Sequence, residues 1–163
     1  MLRTIMNERI YMSKEGLLKL EAELKRLKYE ERPILVAEIK RTRELGDLSE
    51  NAEYHAAKEA QVHLERKISD IEFRFSRVQL VDTSEIPDDK AYLYANVTVK
   101  DLSDGEEIIY KLVSPDEAEV DKDIISIQSP VGAAILGKEI GDKIEVKVPA
   151  GTIKYEIVKI SRD

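Results

Sequence analysis

The chain contains no cysteine and no tryptophan. Disulfides, thiolate metal ligands and cysteine nucleophiles are therefore excluded. Aromatic residues make up only 6%, and both Phe lie at positions 73 and 75. Residues 81–163 are left with Tyr92, Tyr94, Tyr110 and Tyr155 as their aromatics. That is a poor basis for the aromatic-lined apolar pocket that a prolyl isomerase needs, so such an activity is not expected of this half. No apolar run approaches the roughly 18 residues that would cross a bilayer. The opening MLRTIMNERIYM interleaves charge with apolar residues and does not read as a secretory signal. A reducing cytoplasm is the expected compartment.

Charge, by contrast, is abundant: Asp, Glu, Lys and Arg make up 36% of the 163 residues, with a net charge of −7. Such a share suits a long solvated helix laced with ion pairs. The distribution is uneven. Residues 1–80 hold 16 Lys+Arg against 15 Asp+Glu, whereas residues 81–163 hold 10 against 18. The acidic second half is a poor candidate for gripping nucleic acid directly.

Hydrophobic spacing gives the organisation. Ser13 precedes Leu17, Leu20, Leu24 and Leu27, which recur at steps of three and four and mark one apolar stripe on a helix with Ser13 as its expected N-cap. Pro33 interrupts the stripe at YEERPIL and predicts a kink or a local irregularity, after which Ile34, Leu35 and Ile39 continue in a shifted register to about Glu44. A second series, Tyr54, Ala57, Gln61, Leu64, Ile68, Ile71, Phe75 and Val78, alternates steps of three and four and reads as a coiled-coil seam. Two helices of about 30 residues joined by a short turn predict an antiparallel hairpin roughly 45 Å long. Beyond Val81 the pattern becomes strand-like. Ser103-Asp104-Gly105 and Pro149-Ala150-Gly151 each separate two strand segments, and Ser129-Pro130 opens a short helix that Gly137 ends.

The expected fold is α+β: an extension over residues 1–12 without fixed structure, a coiled-coil hairpin over 13–80 with its tip at 45–51, a linker over 81–90, and an antiparallel sheet on a short helix over 91–163.

The tip, RELGDLSENAEY, supports two interpretations. As a turn, Gly46 supplies a C-cap, and Asp47 with Glu50, or Ser49, caps the following helix. As a site, Asp47 and Glu50 present two carboxylates that can share a hard cation such as Mg²⁺, weakly unless other ligands complete the shell. Lys40, Arg41 and Arg43, with Lys58 beyond the turn, form a basic collar. It complements a helix C-terminus, or clamps a nucleic-acid backbone. His55 and His63, eight residues apart, are too distant to chelate one ion, and Ser49 has no base partner.

RELGDLSENAEYHAAKEAQ, with MSKEGLLKLEAELKRL before it and SPVGAAILGKEIGD after it, closely resembles the bacterial transcript cleavage factors of the GreA/GreB family. The resemblance implies that the sheet domain is FKBP-like and docks on the rim of the RNA polymerase secondary channel, through Ser129, Pro130 and Val131. It implies that the hairpin enters the channel, where Asp47 and Glu50 help hold a second Mg²⁺ and position water for hydrolysis of backtracked RNA. Arg43 and Lys58 become candidate contacts to the RNA 3′ segment. The implied protein is monomeric, is no enzyme alone, and holds no metal outside the complex. A related channel binder that inhibits polymerase is the alternative. A chaperone would need apolar groups at the tip, which offers only Leu48.

Overall fold

The computed structural model describes residues 9–162. In chain order these form β1 (Ile10–Met12), α1 (Lys14–Arg26), a π turn (Leu27–Glu31), α2 (Arg32–Arg43), α3 (Ala52–Phe75), β2 (Val78–Leu80), β3 (Asn96–Asp101), β4 (Glu107–Val113), β5 (Ile124–Ser126), α4 (Pro130–Ile135), β6 (Lys143–Val148) and β7 (Gly151–Ser161). Two units result: residues 9–10 with 14–80, and residues 11–13 with 81–162. Residues 1–8 of the expected N-terminal extension lie outside the described residues, and its end is not without fixed structure, since Ile10–Met12 form β1 and Met12 is buried.

The first unit is the helical hairpin. Leu20, Leu27 and Ile39 of the first arm face Ala57, Leu64, Ile68 and Ile71 of the second, all of them buried. Each large aliphatic side chain so buried contributes about 1.5–3 kcal/mol relative to exposure. Ion pairs link the arms: Lys28 with Glu72, Arg32 with Glu65 and Arg41 with Glu53 follow antiparallel order, and Lys67 reaches Glu23 on a diagonal. Arg32 grips Glu65 with both Nε and Nη2 at 2.7 Å, a bidentate contact that defines register more than it adds stability.

The irregularity expected around YEERPIL is a π turn that lies just before Pro33, and two further details of this unit differ from the sequence expectation. Proline has no N–H and its ring crowds the carbonyl four residues back; the preceding turn widens, and the Arg32 N–H donates to Leu27 O, five residues back. The register beyond the π turn buries Ile39 and Thr42, while Ile34 is 70% exposed and not part of the stripe. The second helix ends at Phe75, so Val78 belongs to β2, and its 24 residues span roughly 36 Å.

The second unit is a five-stranded sheet in the order β5-β4-β3-β7-β6. Alternation buries Val97 and Val99 of β3 and Ile144 and Val146 of β6. These join Leu112, Ile125, Ile135, Tyr155 and Ile157 in one core that α4 covers through Ile135. A bulge in β7 opposite Thr98 and Val99 accommodates the register shift. The sheet is not wholly antiparallel as expected: β5 runs parallel to β4, Leu112 opposite Ile125. The strand assigned to YLYANVTVKDL begins only at Asn96, because Tyr94 adopts φ 67° and turns the chain. Burial, then a hydrogen bond to Tyr155, pushes the Tyr110 hydroxyl up to about 12.

Candidate functional site

The hairpin tip is built by the ends of its two long helices. α2 closes with Lys40, Arg41 and Arg43 in its last turn, where cations complement the exposed carbonyls. The Leu45 N–H bonds back to Thr42 O at 3.2 Å. Gly46 then takes φ 124°, two residues past the helix cap, in a region that L side chains rarely adopt.

The cap of α3 is neither Asp47 nor Ser49. Asn51 holds that position with φ −89° and ψ 92°, and its Oδ1 accepts the Tyr54 N–H at 3.0 Å. The sequence did carry the signal, an Asn three residues before the first seam residue Tyr54, but Asp47 with Glu50, and Ser49, offered competing caps. With Asn51 in place, none of the tip acids is consumed in closing the helix.

The three acids have distinct surroundings. Glu53 is tied back by Arg41 at 2.8 Å, and Arg41 also holds Glu38. Asp47 accepts from Ser49 twice at Oδ1, from Oγ at 2.8 Å and from the backbone N–H at 3.0 Å. The hydroxyl first, then the backbone donor, hold the Asp47 carboxyl below its ordinary value. Ser49 is therefore a partner of Asp47, a role that sequence reasoning missed. Glu50 is exposed and carries no hydrogen bond or ion pair among the described residues. Asp47 and Glu50 share one exposed turn and are the two acids directed to solvent instead of to an opposite arm.

Ser49→Ala tests the Asp47 environment. The carboxyl titration, followed by NMR, moves up toward its ordinary value, but not completely, because the residue-49 N–H remains; an unchanged titration would contradict the contact. A depressed native value adds stability above the unfolded value, and that increment disappears as pH falls through the native one. Near neutrality that increment is present in full, so Ser49→Ala lowers stability there, and the difference between the two chains vanishes as pH falls below the native value.

Arg43 is exposed with no partner among the described residues, and Lys58 donates to Gln61 at 2.9 Å. Arg41, engaged by two carboxylates, is not available as an open member of the basic collar. His55 stacks edge-on to Tyr54 at 5.7 Å, and His63 lies 3.7 Å from Glu59. Among the described residues, no three His, Asp or Glu converge in a way that could enclose a metal ion.

In the second unit Ser129 caps α4: its Oγ accepts from Gly132 N at 3.1 Å and donates to Ser126 O at 2.6 Å. Pro130 occupies the first helical turn, Gly137 follows the helix with φ 80°, and Val131 packs against the core. Pro130 is exposed while Ser129 and Val131 are half-buried, so this motif is chiefly a packed corner with one open residue.

Comparison with known proteins decides what this combination belongs to. Residues 10–80 match the family model described as transcription elongation factor, N-terminal, and residues 86–162 match transcription elongation factor, GreA/GreB, C-term. The chain belongs to the GreA/GreB transcription elongation factor family. Among curated relatives, transcription elongation factor GreA of Nitratidesulfovibrio vulgaris is 51% identical over 93% of this chain and 92% of its own length. GreA of Hyphomonas neptunium is 46% identical, over 94% and 98% respectively. A solved structure titled prokaryotic transcription elongation factor GreA/GreB from Nitrosomonas europaea is 25% identical, covering 94% of this chain and 98% of that one, with a TM-score of 0.43. No helix among the described residues is long and apolar enough to cross a membrane.

Proposed function

We propose that this elongation factor passes its hairpin into the secondary channel of RNA polymerase and stimulates cleavage of backtracked nascent RNA. The observation that carries the proposal is the pair Asp47 and Glu50, exposed at the end of a two-helix arm and freed from helix capping by Asn51. A long arm stiffened by buried aliphatic residues and inter-arm ion pairs suits delivery of those acids to a distant centre.

The donor set fits a divalent hard cation in part. Asp47 keeps Oδ2 outside its bonds to Ser49, and Glu50 keeps both oxygens. Two carboxylates hold such an ion only where other ligands are already present, so Asp47 and Glu50 would hold Mg²⁺ jointly with groups of the polymerase. When bound there, Mg²⁺ supplies charge stabilisation for phosphodiester hydrolysis. The contribution of this chain is to place the two carboxylates, accept a hydrogen bond from water, and orient it. The chemistry stays with the polymerase, and the factor alone is no nuclease.

Arg43 and Lys58 flank the acids and are placed to hold the phosphates of the RNA 3′ segment. Ser129, Pro130 and Val131 are proposed as the docking corner on the polymerase rim, with the factor acting as a monomer in the cytoplasm. Reversing Arg43 and Lys58 to Glu is expected to lower cleavage in backtracked complexes about tenfold or more at low salt, with the difference from the parent chain narrowing as salt rises. Unchanged kinetics would return both residues to a purely helix-terminal role.

The proposal itself is tested by adding the factor to halted, backtracked polymerase complexes carrying 3′-labelled RNA and Mg²⁺. Short 3′ fragments are expected to be released faster than by polymerase alone. Binding without release would favour the inhibitory alternative.

A further inference from the structure

The eight residues from Glu44 to Asn51 separate two helices whose facing side chains are held along their length, yet an exposed loop of this size has little packing of its own. Leu45 is 60% exposed and Leu48 is 39% exposed, so neither anchors the turn in a core. The loop is held at its two ends, by one side chain. Asn51 Oδ1 accepts from Tyr54 N at 3.0 Å, in the first turn of α3, while Asn51 Nδ2 donates to Thr42 O at 2.6 Å, in the last turn of α2.

Thr42 is an unusually firm place for that bond. It is fully buried, and its own Oγ1 bonds to Glu38 O at 3.0 Å and to Ile39 O at 3.1 Å, so its carbonyl is fixed in the helix. The carbonyls of a last helical turn have no partner within the helix; that of Thr42 accepts from the Leu45 N–H just beyond it at 3.2 Å, and Asn51 adds a shorter bond from the opposite arm. Only a side chain with both a donor and an acceptor does this. Asp and Ser cap a helix as well as Asn does. A carboxylate cannot donate to Thr42 O, and the single hydroxyl of Ser is too short to span both ends.

We infer that Asn51 is a positioning residue for the tip acids: its amide locks the end of α2 to the start of α3 and thereby sets where Asp47 and Glu50 stand. The inference rests on the cleavage role proposed above. A catalytic group displaced by about 1 Å can lose a hundredfold in rate, so a staple that touches no substrate can still control the reaction.

Two variants separate this role from simple capping. Asn51→Asp and Asn51→Ser both keep an acceptor for Tyr54 N and both lose the donation to Thr42 O. In each, the maximal cleavage rate at saturating factor is expected to fall about tenfold or more, with half-saturation within about twofold of the parent chain. Amide hydrogen exchange at residues 45–50 is expected to quicken in the isolated factor, while protection within α3 is retained. A full maximal rate in both variants, or unaltered exchange in the loop, would overturn the inference. So would a loss expressed wholly as weaker half-saturation. Failure of the cleavage role itself has another signature: the parent chain would not stimulate cleavage, whatever the exchange data show for Asn51.

Discussion

With Asp47→Asn and Glu50→Gln combined, cleavage in backtracked complexes falls to the rate of polymerase alone, a loss on the order of a hundredfold or more in stimulation. Polymerase affinity stays within about twofold. Both residues are exposed, so the fold is not at stake: substitutions of this kind usually change stability by no more than about 0.5 kcal/mol. The amide oxygen that replaces the carboxylate at position 47 can still accept from Ser49, which keeps the turn, while the charge that recruits a cation is gone. Binding measured in parallel separates the two functions of the chain. Loss of binding together with cleavage would mean that the acids serve the interface and not the reacting centre.

Gly132→Ala has the largest expected effect on the fold. A Cβ at this position would stand 2.0 Å from Ser126 O, 2.9 Å from Ser126 C and 2.9 Å from Ser129 Oγ. The obstacle is backbone, so it cannot rotate away. Relief requires α4 to move off β5, which takes Ile135 out of the core and breaks the Ser129 cap. A cost of about 3 kcal/mol is the upper end of ordinary overpacking. For a unit of this size it lowers the midpoint of thermal unfolding by more than about 10 °C. Ala133→Ser, one residue on and exposed, serves as the control and is expected to be neutral. A midpoint unchanged in Gly132→Ala would show that α4 is not held where the contacts place it.

What the sequence revealed follows from how local each feature is. The seam from Ala57 to Ile71 was legible because it repeats at helical spacing, and the β6-β7 hairpin because alternating residues flank Pro149-Ala150-Gly151. β5 was not: it is three residues long and gains its place by parallel pairing with β4, a non-local interaction with no local pattern. Thr42 is polar and yet fully buried, because its hydroxyl turns back on its own helix. Tyr94 escaped for a similar reason. Its φ of 67° is held by tertiary contacts, including its hydroxyl donating to Glu117 and its N–H to Leu112 O at 2.6 Å. Glu117 also accepts from Ser114 Oγ at 2.9 Å and from Ser13 Oγ at 2.6 Å, a set of bonds spread over more than a hundred positions of sequence.

At the tip, composition singled out the acids but not their individual surroundings. Asp47 and Glu50 were identifiable as paired carboxylates, and Glu53 lay close enough in sequence to be counted with them. Only the cross-arm bond from Arg41 removes Glu53 from the group, and only the Asn51 cap releases Asp47. The first depends on which residues of α2 and α3 come level, which the spacing within either helix does not specify; the second is local but was masked by competing caps.

The most direct measurement of the central claim is the Mg²⁺ dependence of 3′ fragment release from backtracked polymerase complexes, with and without the factor. If Asp47 and Glu50 help hold the ion at the reacting centre, the factor raises the cleavage rate and lowers the Mg²⁺ concentration for half-maximal cleavage by about tenfold, one such factor corresponding to about 1.4 kcal/mol. A rate left unchanged or suppressed at every Mg²⁺ concentration, with the factor demonstrably bound, would contradict it.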